Sequence, residues 1–369
     1  MAVYVCAESA LQHYRRAPFP AAARDAVPRA SNLKDAASSF RDVSLHDLTG
    51  LCVPAPSERE PLCVLVPRVS DRGRSVRVNA SVWGAPLPRG AFRSVQRDIY
   101  VSSPEFTFLQ MARRLELVPL IALGMELCGT YRREALNGET LYDQPALTTP
   151  KDLGAFLNKV GSVHGAKRAR RALSYVAPNS ASPLETSVYL LLCLPYRLGG
   201  YNFPRPVLNA GIRLGKRGRE HTLRRSSFPD LYWRKAKLDL ECHGKVHELQ
   251  RTRTEDSMRR KALERMKVEV VELTYDEVRD PKMFRATAIR LAKKLGLRLR
   301  LGRADDFSVR ERALRSELLP TGPASAHLWN DAPLASPAGD GLDDWMGEEL
   351  PSEFDSWDAY MASEDPTDL

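Results

Sequence analysis

Residues 238–243, Leu-Asp-Leu-Glu-Cys-His, constrain the fold of this chain more than any other stretch. Leu238, Leu240 and Cys242 alternate with Asp239, Glu241 and His243. A period of two over this length predicts a strand with one buried face. Glu241 and His243 then leave the same face, and Cys242 turns to the apolar one as core rather than as a ligand. Residues 233–237, Trp-Arg-Lys-Ala-Lys, are polar enough to turn the chain back. That return sets Asp230 beside Glu241 on a paired strand. Two carboxylates side by side repel, and a hard cation such as Mg²⁺ relieves the repulsion. Such an ion also lowers the pKa of bound water and neutralises charge on a phosphoryl oxygen. The alternative is an ordinary hairpin with a solvated acidic face.

The flanking pattern extends this strand pair into a unit. Upstream, Ser182-Pro183-Leu184-Glu185 opens an apolar helix over 186–194. Downstream, residues 252–266 predict a helix capped by Thr252 or Thr254, with Glu255 and Asp256 in its first turn and Met258, Ala262, Leu263 and Met266 on one face. Residues 268–274 predict a strand. Residues 282–295 predict a second amphipathic helix, with Met283, Phe284, Ile289, Leu291 and Leu295 as its apolar residues. Residues 297–301 alternate like a closing strand. The order predicts an α/β class with a small mixed sheet flanked by helices.

With these residues in this order, positions 165–300 resemble the PD-(D/E)xK nuclease superfamily, in the branch similar to very-short-patch-repair endonucleases. The resemblance implies a restriction-endonuclease-like core, α-β-β-β-α-β. It implies that Asp230 and Glu241 hold the divalent metal, Mg²⁺ or Mn²⁺, that Glu185 assists from the preceding helix, and that the substrate is DNA. Gly244 and His247 after the second strand, and Asp256-Ser-Met-Arg259-Arg260 on the next helix, add to the likeness. His243 departs from it, since that place usually holds Lys, or Asp in this branch. A His can orient water or bind metal but supplies no fixed ammonium at neutral pH. The implied function is a metal-dependent DNA endonuclease in defence or repair, with Asp230, Glu241, His243 and Glu185 as its catalytic set. The alternative is a catalytically inactive DNA-binding regulator, antitoxin-like, on the same fold.

Several of these residues have a structural reading as well. Ser182 with Glu185 is a capping box, and Pro183 suits the first helical position. Asp256 complements a helix dipole. His247 is either a residue supporting the site or a surface one. Arg259 and Arg260 suit a solvated face, and Arg also suits phosphate.

Other chemistries lack their motifs. The cysteines at 6, 52, 63, 128, 193 and 242 form no CxxC pair, which argues against a zinc ribbon. Scattered cysteines, and an N-terminus without a basic and apolar leader, predict a reducing, cytoplasmic setting. No run reaches the roughly 18 apolar residues of a membrane span. No Gly-rich phosphate loop or GxSxG elbow occurs, and Gly199-Gly200 reads as a turn.

Charge is divided unevenly. Residues 317–369 carry 13 acidic side chains and no Lys or Arg, so the other 316 residues hold 55 basic against 33 acidic, a balance of +22 hidden in the overall +9. A basic body attracts polyanions, nucleic acid above all. Its clusters are residues 167–171, residues 216–219 with Arg224 and Arg225, and residues 251–261 including Arg259 and Arg260. The tail, rich in Pro, Ser, Gly and Asp and dotted with Trp329, Trp345 and Trp357, predicts disorder. It reads either as a solubilising segment or as an acidic mimic that inhibits the basic body in cis.

The chain thus divides into residues 1–60, a short helix at 9–16 and a Pro/Ala-rich stretch; an α+β domain at 61–150; the nuclease-like domain at 165–300; and the acidic tail. Within the second, residues 62–66 and 75–79 are strand-like, a helix starts at Ser103-Pro104 and apolar residues run on through 121–127. Thr148-Thr149-Pro150 opens the next helix. This N-terminal part is weakly similar to abortive-infection and antitoxin-type bacterial proteins that carry such a nuclease-like domain.

Overall fold

Unbroken apolar runs make the central strands. β1 (Val3–Val5) is buried along its whole length. It turns at Cys6 into α1 (Ala7–Arg16), and a single turn of helix, α2 (Phe40–Val43), follows. β2 (Leu62–Val66), Leu-Cys-Val-Leu-Val, is likewise fully buried, as strands covered on both faces are. β3 (Val78–Val82), β4 (Phe92–Gln96) and β5 (Ile99–Ser102) complete a mixed sheet of order β3-β2-β1-β5-β4. A computed structural model describes residues 2–17, 33, 36–44, 46, 48–133, 140–209, 212–213, 226–227, 229–244, 267–301 and 304–319, all within one unit, Met1–Asp331. Because β1 is the middle strand, the stretches expected as 1–60 and 61–150 share one sheet. The strand expected at 75–79 begins instead at Val78 and runs to Val82.

α3 (Pro104–Met111) starts where Ser103-Pro104 predicts: the Ser103 hydroxyl accepts the Phe106 N–H at 3.2 Å and Pro104 takes the first position. α4 (Leu117–Leu127) is buried along nearly its whole length. Arg15 of α1 donates to both carboxylate oxygens of Glu126 on α4, at 2.8 and 2.7 Å, which gives this buried charge pair a forked geometry. A short ribbon, β6 (Arg132–Arg133) with β7 (Thr140–Leu141), leads to α5 (Pro150–Val160), capped by Thr149 as its Thr-Thr-Pro start predicts.

α6 (Ala166–Leu173) and α7 (Pro183–Cys193) precede the second sheet. Its strands are β8 (Val207–Leu208), then, after the ribbon β9 (Ile212–Arg213) with β10 (Ser226–Ser227), β11 (Leu231–Trp233), β12 (Leu238–His243) and β13 (Glu269–Thr274). The order is β13-β12-β11-β8, with β12–β13 parallel and the other pairs antiparallel. The fold is therefore mixed α/β, with mixed sheets flanked by helices.

β13 runs into α8 (Tyr275–Arg279) through a capping box of Thr274 and Glu277, and Asp280 then caps α9 (Pro281–Lys294). α9 buries Phe284, Thr287, Ala288, Leu291 and Ala292, leaving Met283 and Ile289 about half exposed, contrary to their expected place on the apolar face. The closing strand expected at 297–301 does not form. Those residues belong to no strand or helix; their leucines are half-buried, and the Arg300 N–H donates to the Tyr196 hydroxyl at 2.9 Å rather than to a strand. A further helix follows, α10 (Ala304–Leu318), so Glu317, expected to open the acidic tail, lies in its last turn. Residues 320–369 of that tail, and the helix expected at 252–266, lie outside the described residues.

Candidate active site

The β11–β12 hairpin has the register its sequence predicts. Leu231 faces Leu240 and Trp233 faces Leu238, so Asp230, one residue before β11, continues the register opposite Glu241. The turn at 234–237 ends on Lys237 with φ 49°, a left-handed residue closing a tight return. Leu231, Trp233, Leu238 and Leu240 are all buried on one face. The other face carries Asp239, Glu241 and His243, beside Val270, Glu272 and Thr274 of the parallel neighbour β13. Asp239 is completely buried, whereas Glu241, His243 and Asp230 are half-buried. The Cys242 N–H donates to Asp230 Oδ2 at 2.7 Å, which fixes that carboxylate at the end of the hairpin.

Glu185 reaches the same end from α7. Its N–H donates to the Ser182 hydroxyl at 3.1 Å, and its side chain reaches back to accept the Ala181 N–H at 2.9 Å, so the capping role is real. The same Oε2 accepts from the side-chain amide of Asn209 at 2.6 Å. Asn209 also donates to the carbonyl of Asn179 at 2.9 Å, and its own N–H donates to the carbonyl of Asp230 at 3.1 Å. One residue thus ties the start of α7 to the backbone of Asp230. Asn209 follows the two-residue strand β8 at φ 47°, a conformation Asn tolerates better than most residues. Sequence reasoning missed Asn209, Asp239 and Glu272. Asp239 and Glu272 fall on the polar beats of their strands; nothing in the sequence marks Asn209.

The electrostatics follow from this crowding. Burial first, and then the charge of Asp230, push the Glu185 carboxyl up to about 8, against the hydrogen bonds from Ala181, Asn209 and Ser182. Burial, and then the charges of Asp230, Glu185, Asp239 and Glu241, hold the Cys242 thiol well above its usual range. Cys242 packs against the core, as its strand position predicts.

Among the described residues, no group of three or more His, Cys, Asp or Glu side chains is arranged to hold a metal ion. A closed protein cage of Asp230, Glu241 and Glu185 is therefore absent. Glu185, its carboxyl raised by burial and by the charge of Asp230, forms with Asp230 a carboxylate pair that suits an open Mg²⁺ site, in which one or two carboxylates are completed by waters and substrate oxygens.

The expected phosphate-binding residues Arg224, Arg225, Arg259 and Arg260, with Asp256 and His247, lie outside the described residues. Within the cluster at 167–171, two arginines have structural work. Arg168 donates to the carbonyl of Leu115 at 3.1 Å, just beyond α3, and Arg170 to those of Leu157 and Gly161 at 2.7 and 2.8 Å, at the end of α5. At the end of α5 the Arg170 guanidinium satisfies helix-terminal carbonyls and complements the helix dipole. No helix among the described residues is long and apolar enough to cross a membrane. Comparison with known proteins finds no matching family model, no matching curated protein and no matching solved structure.

Proposed function

We propose that this chain is a divalent-cation-dependent nuclease acting on DNA, with its site at the open end of the β11–β12 hairpin. The observation that carries the reading is the convergence of three elements there. The hairpin register sets Asp230 opposite Glu241, and Asn209, just after the neighbouring strand β8, holds Glu185 of α7. Asp230 and Glu185 would hold Mg²⁺ or Mn²⁺, with Glu241 beside them, and the cation would supply Lewis acidity and an activated water. The residues of the chain do the positioning. The Cys242 N–H orients Asp230, and the Asn209 amide orients Glu185. His243, on the face of Glu241, would orient the attacking water. For DNA, segment 281–301 offers seven Lys and Arg and no acidic residue, with Lys282, Arg290, Lys293, Arg298 and Arg300 exposed. The six cysteines, none of them in a disulfide, suit a reducing compartment such as the cytoplasm.

Plasmid cleavage in Mg²⁺ or Mn²⁺ tests the reading. Wild type should cleave, and Asp230→Asn should lose on the order of a hundredfold or more in rate with its fold intact. Absence of cleavage with both cations would count against an active enzyme. Two observations favour a second reading, a DNA-binding regulator without catalysis: His243 stands where Lys or Asp is usual, and the described residues form no three-ligand group. Salt-sensitive DNA retention without cleavage is its signature.

A further inference from the structure

Helix α6 carries charge of one sign where helix chemistry opposes it. Its sequence, Ala-Lys-Arg-Ala-Arg-Arg-Ala-Leu, buries Ala166, Ala169 and Ala172 and exposes Lys167, Arg168, Arg170 and Arg171. Lys167 lies three and four positions before Arg170 and Arg171, and Arg168 three before Arg171, so these cations are neighbours on the helix surface and repel. Lys167 and Arg168 also stand in the first turn, the end of the dipole that favours anions. The nearby sequence offers little acid to offset them. Between Asp152 and Glu220 the chain holds eleven Lys and Arg and one acidic residue, Glu185.

The fold brings further cations to the same helix. Arg205, ahead of β8, donates to the carbonyl of Ser174, the C-terminal cap of α6. Arg197 donates to the hydroxyl of Tyr175, the next residue, at 3.3 Å. Arg197 belongs to the 3₁₀ turn Tyr196–Leu198, and the hydroxyl of Tyr196 accepts the Arg300 N–H. Arg197, Arg298 and Arg300 are exposed, and Arg205 is half-buried. One basic stripe thus runs from α6 across this turn to residues 298–300, joining stretches far apart in sequence. The carbonyls that hold Arg168 and Arg170 fix two of its guanidinium groups in place. The stripe also starts near the hairpin end. From Ser174 the chain runs to Asn179, whose carbonyl accepts from Asn209, the residue that holds Glu185, a span of roughly 18 Å at most.

We propose that this stripe is a docking track for the phosphate backbone of duplex DNA beside the hairpin end, an inference that rests on the nuclease reading for its choice of DNA. Phosphates relieve the repulsion among clustered cations and match the forked geometry of guanidinium groups. Neither α6 nor residues 195–205 expose a large apolar side chain, which a peptide partner would need as an anchor. Single strands draw affinity from bases stacked on aromatic rings. The rings beside the stripe are occupied: Tyr175 and Tyr196 are half-buried, their hydroxyls accept from Arg197 and Arg300, and Tyr196 meets Phe307 edge-on. The duplex, with phosphates at regular spacing along a stiff rod, is what remains.

Fluorescence anisotropy of a short labelled duplex with the full chain, in a chelator so that nothing is cut, tests this apart from cleavage. Wild type should bind the duplex more tightly than the matching single strand, with affinity falling steeply as salt rises. Arg171→Ala and Arg298→Ala, at opposite ends of the stripe, should each weaken duplex binding and lower its salt slope by about 1. Both side chains are exposed, so the fold should tolerate their loss. Arg171→Glu with Arg298→Glu should weaken binding on the order of tenfold or more. Arg74→Ala, an exposed arginine before β3, should leave affinity and slope unchanged. Tighter binding of the single strand would overturn the proposal. So would an equal loss in Arg74→Ala, or displacement of the duplex by poly-glutamate as effectively as by unlabelled duplex, since either marks attraction to charge alone. Duplex binding of the expected pattern without cleavage in Mg²⁺ or Mn²⁺ would sink the nuclease reading and leave the track standing. Cleavage with duplex binding unmoved by the stripe variants would do the reverse.

Discussion

Glu185 sits where two requirements meet. It completes the cap of α7 and faces Asp230, and burial with that neighbour pushes its carboxyl to about 8 from an ordinary 4.5. In the unfolded chain it loses its proton near the lower value; in the folded protein it keeps it to the higher one. Its contribution to stability is therefore fully present below about pH 4.5 and is lost as pH rises towards 8. Glu185→Gln removes that loss. An amide at this position still accepts from Ala181 and Asn209 through its oxygen and donates to Ser182 through its nitrogen. Denaturation at two pH values should show Glu185→Gln within about 1 kcal/mol of wild type at pH 4.5 and more stable by about 2–4 kcal/mol at pH 9. Equal stability of the two proteins at pH 9 would mean that neither burial nor the charge of Asp230 raises the Glu185 carboxyl. The cap was legible as Ser182-Pro-Leu-Glu185, because capping is local chemistry. The electrostatic influence of Asp230 on Glu185 was expected only from the family resemblance. Asn209, which joins the two, was not legible, because its role depends on a strand register far along the chain.

At the scale of elements, legibility tracked how far apolar periodicity decides packing. The hairpin, β2, β13 and the starts of α3, α5 and α7 follow from alternation and caps. α9 was found with Phe284 and Leu291 on its buried face as expected, but that face also uses Thr287, Ala288 and Ala292 and leaves Met283 and Ile289 outside. α10 was missed for a sharper reason. Its buried stripe is Phe307, Glu311, Leu314, Arg315 and Leu318, a helical spacing with two charges in it. Those charges find their partners only in three dimensions. Glu311 accepts from Tyr201 at 2.9 Å, Arg285 at 2.9 Å and Arg315 at 3.0 Å, while Arg315 also donates to the carbonyl of Val278 at 2.6 Å. Gly199 permits the close approach, since a side chain there would strike the backbone of Arg310. Removing one partner of such a network leaves the others buried and unmatched. Glu311→Ala should cost about 3–5 kcal/mol in chemical denaturation. A loss below about 1 kcal/mol would show that α10 is held by its apolar residues alone.

For the whole molecule, the division of charge is the property most open to test. Ending the chain after Leu319 keeps α10 whole, removes 12 acidic residues and raises the net charge from +9 to +21. The shortened protein should bind DNA more tightly at low salt, with a steeper fall in affinity as salt rises. Unchanged affinity and slope would exclude the tail as an electrostatic brake. The nuclease reading requires, above all, that the hairpin end be a cation site. Calorimetric titration of Mn²⁺ or Mg²⁺ into wild type, Asp230→Asn and Glu185→Gln, with and without DNA, tests it most directly. Wild type should take up cation, and each variant, still folded, should bind it with affinity lower on the order of tenfold or more. No uptake by wild type even with DNA present would contradict it and leave the hairpin as a solvated acidic face.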